Sequence, residues 1–439
     1  MATSDRRFWY SLAGITAFAF VLRVALAAAF VGLASPPDEG AQPDQIEYEA
    51  AAYQLTQGNF MTYPNGAPSA KRTPGTSLSL LPAYAAFGRD YAAGRLWFCF
   101  LSALACLGVG LTALQIAGKR AALFSALLLA IYPGHAYHAM HFVSEVPYTM
   151  YLAFATALSI AGVRNGGWKT LIGAGFCWGM AIHCRPQLVL LVPVSIVAIA
   201  WLYRSMQRGE WKVVAKRYAV QAAVVAALLV PWLVRNQVVM GKPTMSSISG
   251  LGLWGSHNTL TFNDATYRGD WVRTSYLESL TSPLPHEEIA KDAEAWKRGM
   301  AEIRANLWQM PMLVSAKLMR FVSPVAGTPN RIVAWTFALS WLAILPFIFW
   351  GASVMWKKAR DGAIIIALPT LATIATVVMF YGSVRFRDSI APLFITAAGI
   401  GVARCVQLVM ARLAPAAQGS AALRLTETDE DVRESRRAA

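Results

Sequence analysis

Long, nearly uninterrupted apolar runs limit most strongly how this chain can fold. A helix needs about 20 residues to cross the roughly 30 Å hydrocarbon core of a bilayer. Runs that approach or reach this length occur at 8–34, 93–116, 121–137, 143–163, 170–184, 187–203, 216–234, 332–355, 361–381 and 388–410. Their apolarity is continuous, whereas barrel strands alternate in blocks of about ten residues. The sequence therefore predicts an all-α polytopic membrane protein with about ten transmembrane helices.

Composition agrees with this fold class. Hydrophobic residues make up 56% of the chain and charged residues 14%, whereas a soluble domain averages about 25% charged. A soluble enzyme and a disordered chain are both excluded. The net charge is +15, which in a membrane protein reflects cytoplasmic loops and lipid phosphates rather than nucleic acid. The five cysteines lie in or beside apolar runs without a CxxC pair, so we expect neither a disulfide framework nor a zinc site.

The basic residues of the short connectors predict the orientation. With a cytoplasmic amino terminus, the positive-inside rule is satisfied by Lys119, Arg120, Arg164, Lys169, Arg204, Arg208, Lys212, Lys216, Arg217, Lys357, Lys358 and Arg360. Two long segments, 35–92 and 235–331, then form the extracytoplasmic loops. Residues 1–410 are expected to form one membrane domain, and 411–439 a disordered cytoplasmic tail.

Several basic residues fall on the opposite side, at the ends of different helices. They are Lys71, Arg72, Arg185, Arg235, Arg385 and Arg387. Any one of them could reach the lipid headgroups as an isolated side chain. Together they favour a convergent anion site, because the planar guanidinium fork binds phosphate oxygens well. A lipid phosphate is the expected ligand.

The segment from Asp44 to Gly58 predicts a short amphipathic helix in the first extracytoplasmic loop. Asp44, Tyr48, Ala52 and Leu55 recur at helical spacing on one face. A glycine is typical of the position just past a helix end. Asp44 is interpreted either as a helix cap or as a carboxylate available for chemistry, and the two interpretations are compatible.

Glu145 is the second acid of interest, because an ionisable group at membrane depth indicates function by default. It could instead be an acid that favours the start of a helix. His138, His141 and Glu145 are spaced so that a continuous helix would place them together as ligands of a divalent metal. Pro133 and Gly134 interrupt this region, so histidines at a helix junction are the alternative. The sequence requires no cofactor and leaves a divalent metal open.

Ordered motifs connect these positions. They are Asp44-x3-Tyr48-x3-Ala52-x2-Leu55-x2-Gly58; Arg72-Thr73-Pro74-Gly75; Tyr132-Pro133 followed by Ser144-Glu145; Arg185-Pro186; Arg235-Asn236 leading to Gly241, Gly250, Gly252 and Asn258; and Arg385-Phe386-Arg387 with Pro392. From about residue 8 to 410 the chain resembles bacterial GT-C class integral-membrane glycosyltransferases. The resemblance is to the branch of the protein O-mannosyltransferases and the lipid A aminoarabinose transferase, which is glycosyltransferase family 39-like.

The resemblance implies a GT-C fold and sugar transfer from a polyprenyl-phosphate-linked donor to an acceptor hydroxyl. The acceptor would be a glycan, lipid or protein at the periplasmic face of a bacterial inner membrane. Asp44 would be the general base and Glu145 a second catalytic acid, and direct displacement would invert the anomeric carbon. The implied substrate-binding residues are Tyr48, Lys71, Arg72, Arg185, Arg235, Asn236, Arg385 and Arg387.

Two other functions fit parts of the pattern. A transporter or flippase of a polyprenyl-linked sugar would use similar arginines and a similar number of helices. It has no need for an acid in an outer loop, and no internal repeat is visible in the sequence. A non-catalytic scaffold that binds anionic lipid is the third candidate, and it would tolerate neutralisation of Asp44 and Glu145.

Overall fold

The computed structural model describes residues 3–63, 65–191, 210–325 and 330–413. Regular structure in these ranges is helical, and the β pairing recorded there is one isolated bridge between Thr62 and Pro68. The α-helices are α1 (Thr3–Phe30), α2 (Asp44–Thr56), α3 (Gly75–Phe87), α4 (Tyr91–Ala117), α5 (Lys119–Ile131), α6 (Pro133–His138), α7 (Glu145–Asn165), α8 (Trp168–Cys184), α9 (Glu210–Met240), α10 (Ser249–Ser256), α11 (Thr259–Asn263), α12 (Thr274–Leu280), α13 (Glu288–Ala305), α14 (Met310–Val322), α15 (Arg331–Lys358), α16 (Arg360–Met379), α17 (Val384–Ser389) and α18 (Ala391–Leu413).

Within the described part of the chain, seven helices are long and apolar enough to cross a bilayer. The spans are Asp5–Phe30, Tyr91–Ala117, Glu145–Asn165, Trp211–Met240, Arg331–Lys358, Arg360–Met379 and Ala391–Leu413. The predicted all-α membrane fold is therefore confirmed, and the predicted number of ten spans is not.

The differences concern the shorter apolar runs. The run at 121–137 is divided, because α5 ends at Ile131 and Tyr132 adopts an extended conformation before Pro133. Proline disfavours the helical conformation in the residue that precedes it. The run at 187–203 begins in a 3₁₀ helix, Pro186–Leu190. Its part from residue 192 onwards lies outside the described residues, as do Arg204 and Arg208.

Close helix packing builds the membrane core. Gly108 of α4 lies against Ala153 of α7, where a β-carbon on the glycine would come within 2.8 Å of the alanine β-carbon. Arg23, fully buried in α1, donates to Ser102 Oγ at 2.6 Å and contacts His135 Nδ1 at 2.8 Å. A buried charge in a span needs such partners. The arginine of the first span thus joins α1 to its neighbours.

The two long loops fold into helices as expected. The first contains α2 and α3, and Gly58 follows α2 with a φ of +80°, a left-handed conformation that glycine adopts without strain. The second contains α10 to α14, and its charged stretch from His286 to Arg320 is mostly helical, in α13 and α14. The predicted tail at 411–439 begins inside α18, and its part from residue 414 onwards lies outside the described residues.

Candidate active site

Asp44 lies where two distant arginines meet. It is the first residue of α2, and the capping position before it is Pro43, with no side-chain cap bond. The interpretation of Asp44 as a helix cap is therefore wrong. Its Oδ1 accepts a hydrogen bond from Arg72 Nη2 at 2.5 Å, and its Oδ2 accepts one from Arg385 Nη1 at 2.8 Å. Both carboxylate oxygens are used to hold cations rather than backbone N–H groups.

Glu145 forms the second carboxylate of the same cluster. It is the first residue of α7, and its side chain is buried. Its Oε1 accepts hydrogen bonds from Arg185 Nη2 at 2.6 Å and from Arg385 Nε. Arg385 therefore bridges Asp44 and Glu145, which lie in segments about one hundred residues apart in sequence. Such pairing offsets the cost of burying a carboxylate.

A third acid extends the cluster along α2. Glu47 is one helical turn after Asp44 and forms ion pairs with Lys71 and with Arg72, whose Nε lies 2.6 Å from Glu47 Oε2. The Tyr48 ring lies 5.4 Å from the guanidinium carbon of Arg72. The cluster thus contains three carboxylates and four cations, so it has a net charge of +1. The cations are Lys71, Arg72, Arg185 and Arg385. An additional anion can be accommodated electrostatically.

The carboxylates of α2 remain ionised. Burial raises the pKa of Asp44, but Arg385 and Arg72 outweigh it, so the pKa lies below its ordinary value of 3.8. For Glu47, Arg72 and Lys71 likewise overcome the effect of burial and lower its pKa below 4.5. Nearby cations favour the charged form of an acid. Both acids are therefore negatively charged at neutral pH.

A cavity of about 390 Å³ opens beside this cluster. Asp44, Tyr48, Arg72, Arg185 and Arg385 line it. Its apolar and aromatic lining residues are Met245, Ile248, Trp296, Met379, Phe380, Tyr381 and Phe386. Nη1 of Arg185 is buried without a hydrogen-bond partner among the described residues. An unpaired buried N–H group is costly, so Arg185, which lines the cavity, has a donor that no described residue satisfies.

Arg235 and Asn236 do not line this cavity. Arg235 Nη1 donates to the carbonyl oxygen of Ser69 at 2.9 Å, and its Nη2 donates to that of Met61 at 2.9 Å. Asn236 Nδ2 donates to the carbonyl oxygen of Thr244 at 2.7 Å. The backbone just before Lys71 and Arg72 thus accepts hydrogen bonds from α9. A direct role of Arg235 or Asn236 in substrate binding stays a prediction.

Arg387 also lies off the cavity wall, although Arg385 is only two residues before it. Its guanidinium stacks 4.4 Å from the Trp341 ring centre and donates to the Ser323 carbonyl oxygen. Two residues correspond to about 200° around an α-helix, so their side chains leave α17 on opposite sides. The structure brings Arg385 to the cavity and turns Arg387 into the protein, where it anchors the short helix.

The histidine candidates do not assemble a metal site. The helix α6 ends at His138, and α7 begins only at Glu145, so the continuous helix needed to align His138, His141 and Glu145 is interrupted. No group of three or more His, Cys, Asp or Glu side chains suited to a metal occurs among the described residues. Asp44 and Glu145 are already paired with guanidinium groups, and this donor set does not fit a divalent cation.

Glu288 is a residue that the sequence did not single out. Located at the first position of α13, it accepts hydrogen bonds from Tyr63 Oη at 2.7 Å, Ser69 Oγ at 2.9 Å and the Ala70 amide at 2.8 Å, and from Ser247 Oγ at 2.5 Å. One carboxylate of the second long loop thereby fixes the segment that leads into Lys71 and Arg72. No sequence motif identifies it, because three of its four partners lie about two hundred residues earlier in the chain.

Comparison with known proteins supports the class indicated by the motifs. Residues 71–234 match the family described as dolichyl-phosphate-mannose-protein mannosyltransferase. This match includes Arg72, Glu145 and Arg185, and it covers less than half of the chain. A comparison with curated proteins gave no match.

Solved structures of archaeal oligosaccharyltransferases share the fold. The Archaeoglobus fulgidus enzyme AglB, in complex with an inhibitory peptide and a dolichol-phosphate, aligns with a TM-score of 0.58 and 13% identity over 95% of this chain and 52% of that chain. The apo form of an oligosaccharyltransferase from the same organism aligns with a TM-score of 0.54 and 14% identity, over 92% and 52% respectively. This chain thus spans about half the length of these archaeal enzymes.

A bacterial structure was also matched. ArnT from Cupriavidus metallidurans, bound to undecaprenyl phosphate, aligns at 16% identity over 88% of this chain and 77% of that chain, with a TM-score of 0.39 that carries no argument about the fold. The chain has the fold of the GT-C membrane glycosyltransferases and contains a segment similar to the protein mannosyltransferase family.

Proposed function

We propose that this protein transfers a hexosyl or pentosyl unit from a polyprenyl-phosphate-linked donor to an acceptor hydroxyl. The observation that carries the proposal is the contact of Asp44 with Arg72 and Arg385 on the wall of a cavity. These three residues come from separate segments, and a GT-C fold brings them together. The acceptor would be a glycan, a lipid or a protein, and the cavity would face the periplasm of a bacterial inner membrane.

The arginines would bind the phosphate of the donor. Arg185 has an unpaired, buried Nη1 beside the cavity, and Arg72 and Arg385 lie on the same wall. Charge-assisted hydrogen bonds from guanidinium groups become stronger as negative charge develops on a leaving phosphate. The apolar and aromatic residues that also line the cavity would accommodate the sugar and the acceptor. Residues 1–410 would form the catalytic domain.

Asp44 would act as the base in a direct displacement. The acceptor oxygen attacks the anomeric carbon, and the bond from that carbon to the phosphate oxygen breaks with its electron pair remaining on the phosphate. The acceptor proton passes to Asp44, and the configuration at the anomeric carbon is inverted. General bases of this kind contribute about 10²–10⁴-fold to a rate. Glu145 would hold Arg185 and Arg385 in place around the reacting groups.

The low pKa of Asp44 is consistent with this role. It results from Arg385 and Arg72, which overcome the opposing effect of burial. A bound phosphate would compete for the same two guanidinium groups, and weaker pairing raises the proton affinity of a carboxylate. Donor binding would therefore make Asp44 a better base at the moment when a base is required.

Substitution of Asp44 by asparagine tests the proposal. We expect Asp44→Asn to abolish sugar transfer in membranes that contain the native donor and acceptor, while undecaprenyl phosphate binds at least as tightly as to the native protein. Glu49→Gln is the matched control, because Glu49 lies on the same helix and pairs with Arg89 away from the cavity. An Asp44→Asn protein that is stably inserted and still active would refute the assignment of the base. If the protein were instead a transporter, Asp44→Asn would leave its transport activity unchanged.

A further inference from the structure

The helix α14 turns its charged side chains towards the protein and exposes large apolar side chains, which is the reverse of a helix that faces water. Its two charged residues, Lys317 and Arg320, both point into the protein. Lys317 is fully buried, with its Nζ 2.8 Å from His257 Nε2. Arg320 Nη1 donates to Asp270 Oδ2 at 2.9 Å. A helix on an aqueous surface normally turns its charges outwards and its apolar stripe inwards.

The outward face of α14 and of the turn before it is apolar. Trp308 is 79% exposed and Met319 is 70% exposed. The other large side chains on this face are Leu307, Met312 and Val322. Contiguous exposed apolar surface of this kind marks contact with a membrane or with another protein.

Its neighbours locate this face at a membrane boundary. Lys317 Nζ donates to the carbonyl oxygen of Val378, at the end of the membrane span α16. The chain also continues from Val322 towards α15, another span, whose first turns expose Ile332 and Trp335. The helix α14 is therefore attached to the end of one membrane span and precedes another in the chain. Tryptophan is enriched where hydrocarbon meets headgroups.

We propose that α14 and the turn before it lie in the lipid bilayer interface, on the side of the membrane where the cavity opens. The apolar face that includes Trp308, Met312 and Met319 would enter the boundary between headgroups and acyl chains, about 5–10 Å deep. The buried Lys317 and the partly exposed Arg320 hold this helix to the protein from the other side.

This position has a consequence for the cavity. Val378, which binds Lys317, is followed within three residues by Phe380 and Tyr381, both of which line the cavity. If α14 lies in the headgroup region, the arginine cluster is held close to the depth at which lipid phosphates lie. The inference about α14 itself rests on exposure and charge and does not depend on the proposed sugar transfer.

Spin labels can test the proposal directly. Cysteines would replace Trp308 or Met319 in a chain whose five native cysteines are changed to alanine or serine, in nanodiscs of phosphatidylethanolamine and phosphatidylglycerol. Lys297→Cys on α13 is the aqueous control, since the lysine side chain is 82% exposed. Phe349→Cys on α15 is the lipid control, since Phe349 is 69% exposed on a membrane span.

We expect labels at 308 and 319 to collide with oxygen more than with a water-soluble nickel chelate, as the label at 349 does. Preferential collision with the nickel chelate, as at 297, would overturn the proposal, and so would protection from both reagents, which indicates a protein partner. The native chain provides a second measurement. Lipids with brominated acyl chains should quench its fluorescence, and Trp308→Phe should remove part of the quenchable signal.

Discussion

Arg385 is the residue whose removal tests the candidate site most directly. It lines the cavity and contacts two carboxylates, Asp44 at 2.8 Å and the buried Glu145 through its Nε. In an Arg385→Gln variant neither acid loses all of its partners, because Asp44 keeps Arg72 and Glu145 keeps Arg185. The expected loss of folding stability is therefore about 1–3 kcal/mol, below the roughly 3–5 kcal/mol typical of a buried charge left unpaired.

The effect on phosphate binding should be similar in free energy to this loss of stability. A hydrogen bond to a charged group contributes about 1.5–3 kcal/mol, and each 1.4 kcal/mol is about tenfold in affinity. Part of that contribution is offset, because Arg385 must exchange a carboxylate for the phosphate. We therefore expect the Kd for undecaprenyl phosphate to rise about 10- to 100-fold in Arg385→Gln.

The assay is the rise in the thermal midpoint of the detergent-solubilised protein as undecaprenyl phosphate is added. A ligand that binds only the folded state stabilises it in proportion to the logarithm of its concentration over Kd. Arg89→Gln is the matched control, since Arg89 also pairs with a buried carboxylate, that of Glu49, but lies off the cavity. A Kd in Arg385→Gln within twofold of the native value would refute the assignment of the phosphate site.

Two further predictions concern the surroundings of this cluster. Glu288→Ala should speed amide hydrogen exchange in segment 60–72 and lower stability by about 1–3 kcal/mol, because four donors lose their acceptor. Glu294→Ala on the same helix should leave that segment unchanged. Asp44 and Glu47 have pKa values below their ordinary values of 3.8 and 4.5. Their ionised forms therefore stabilise the folded state at pH values above these ordinary values, and this stabilisation is lost as the pH falls through the lower pKa values of the folded state. Thermal midpoints between pH 6 and 3 should therefore drop less in Asp44→Asn, and equal slopes would contradict this.

Local patterns predicted the helices well where a single physical cause dominates. Continuous apolarity identifies the long spans, because a bilayer offers no partners for exposed backbone groups. The α2 helix follows from the spacing of Asp44, Tyr48 and Ala52 and from the glycine that ends it. The division of the run at 121–137 was missed, because mean apolarity does not register the conformational effect of Pro133 on the preceding residue.

The sequence predicted which types of residue form the candidate site, but not which residues each of them contacts. Asp44, Glu145, Arg72, Arg185 and Arg385 were all selected from the sequence. The structure brings Asp44 and the three arginines to one cavity, and Glu145 lies buried behind Arg185 and Arg385. Arg235 and Arg387 belong to the same residue type but donate to backbone carbonyl groups elsewhere. Guanidinium groups satisfy carbonyl oxygens and phosphates with the same N–H donors. Composition and motif order therefore cannot distinguish an arginine that anchors the fold from one that lines a cavity.

By itself the sequence determined that the chain is helical, lies in a membrane and carries an excess of arginine beside a few acids. These properties depend on each residue's own solubility and on neighbours within a few helical turns. Tertiary structure alone decided which acid meets which arginine, that Glu288 holds the segment before Lys71, and that α14 turns its charges inwards. Those outcomes depend on contacts between segments up to several hundred residues apart, and they are set by how the spans pack.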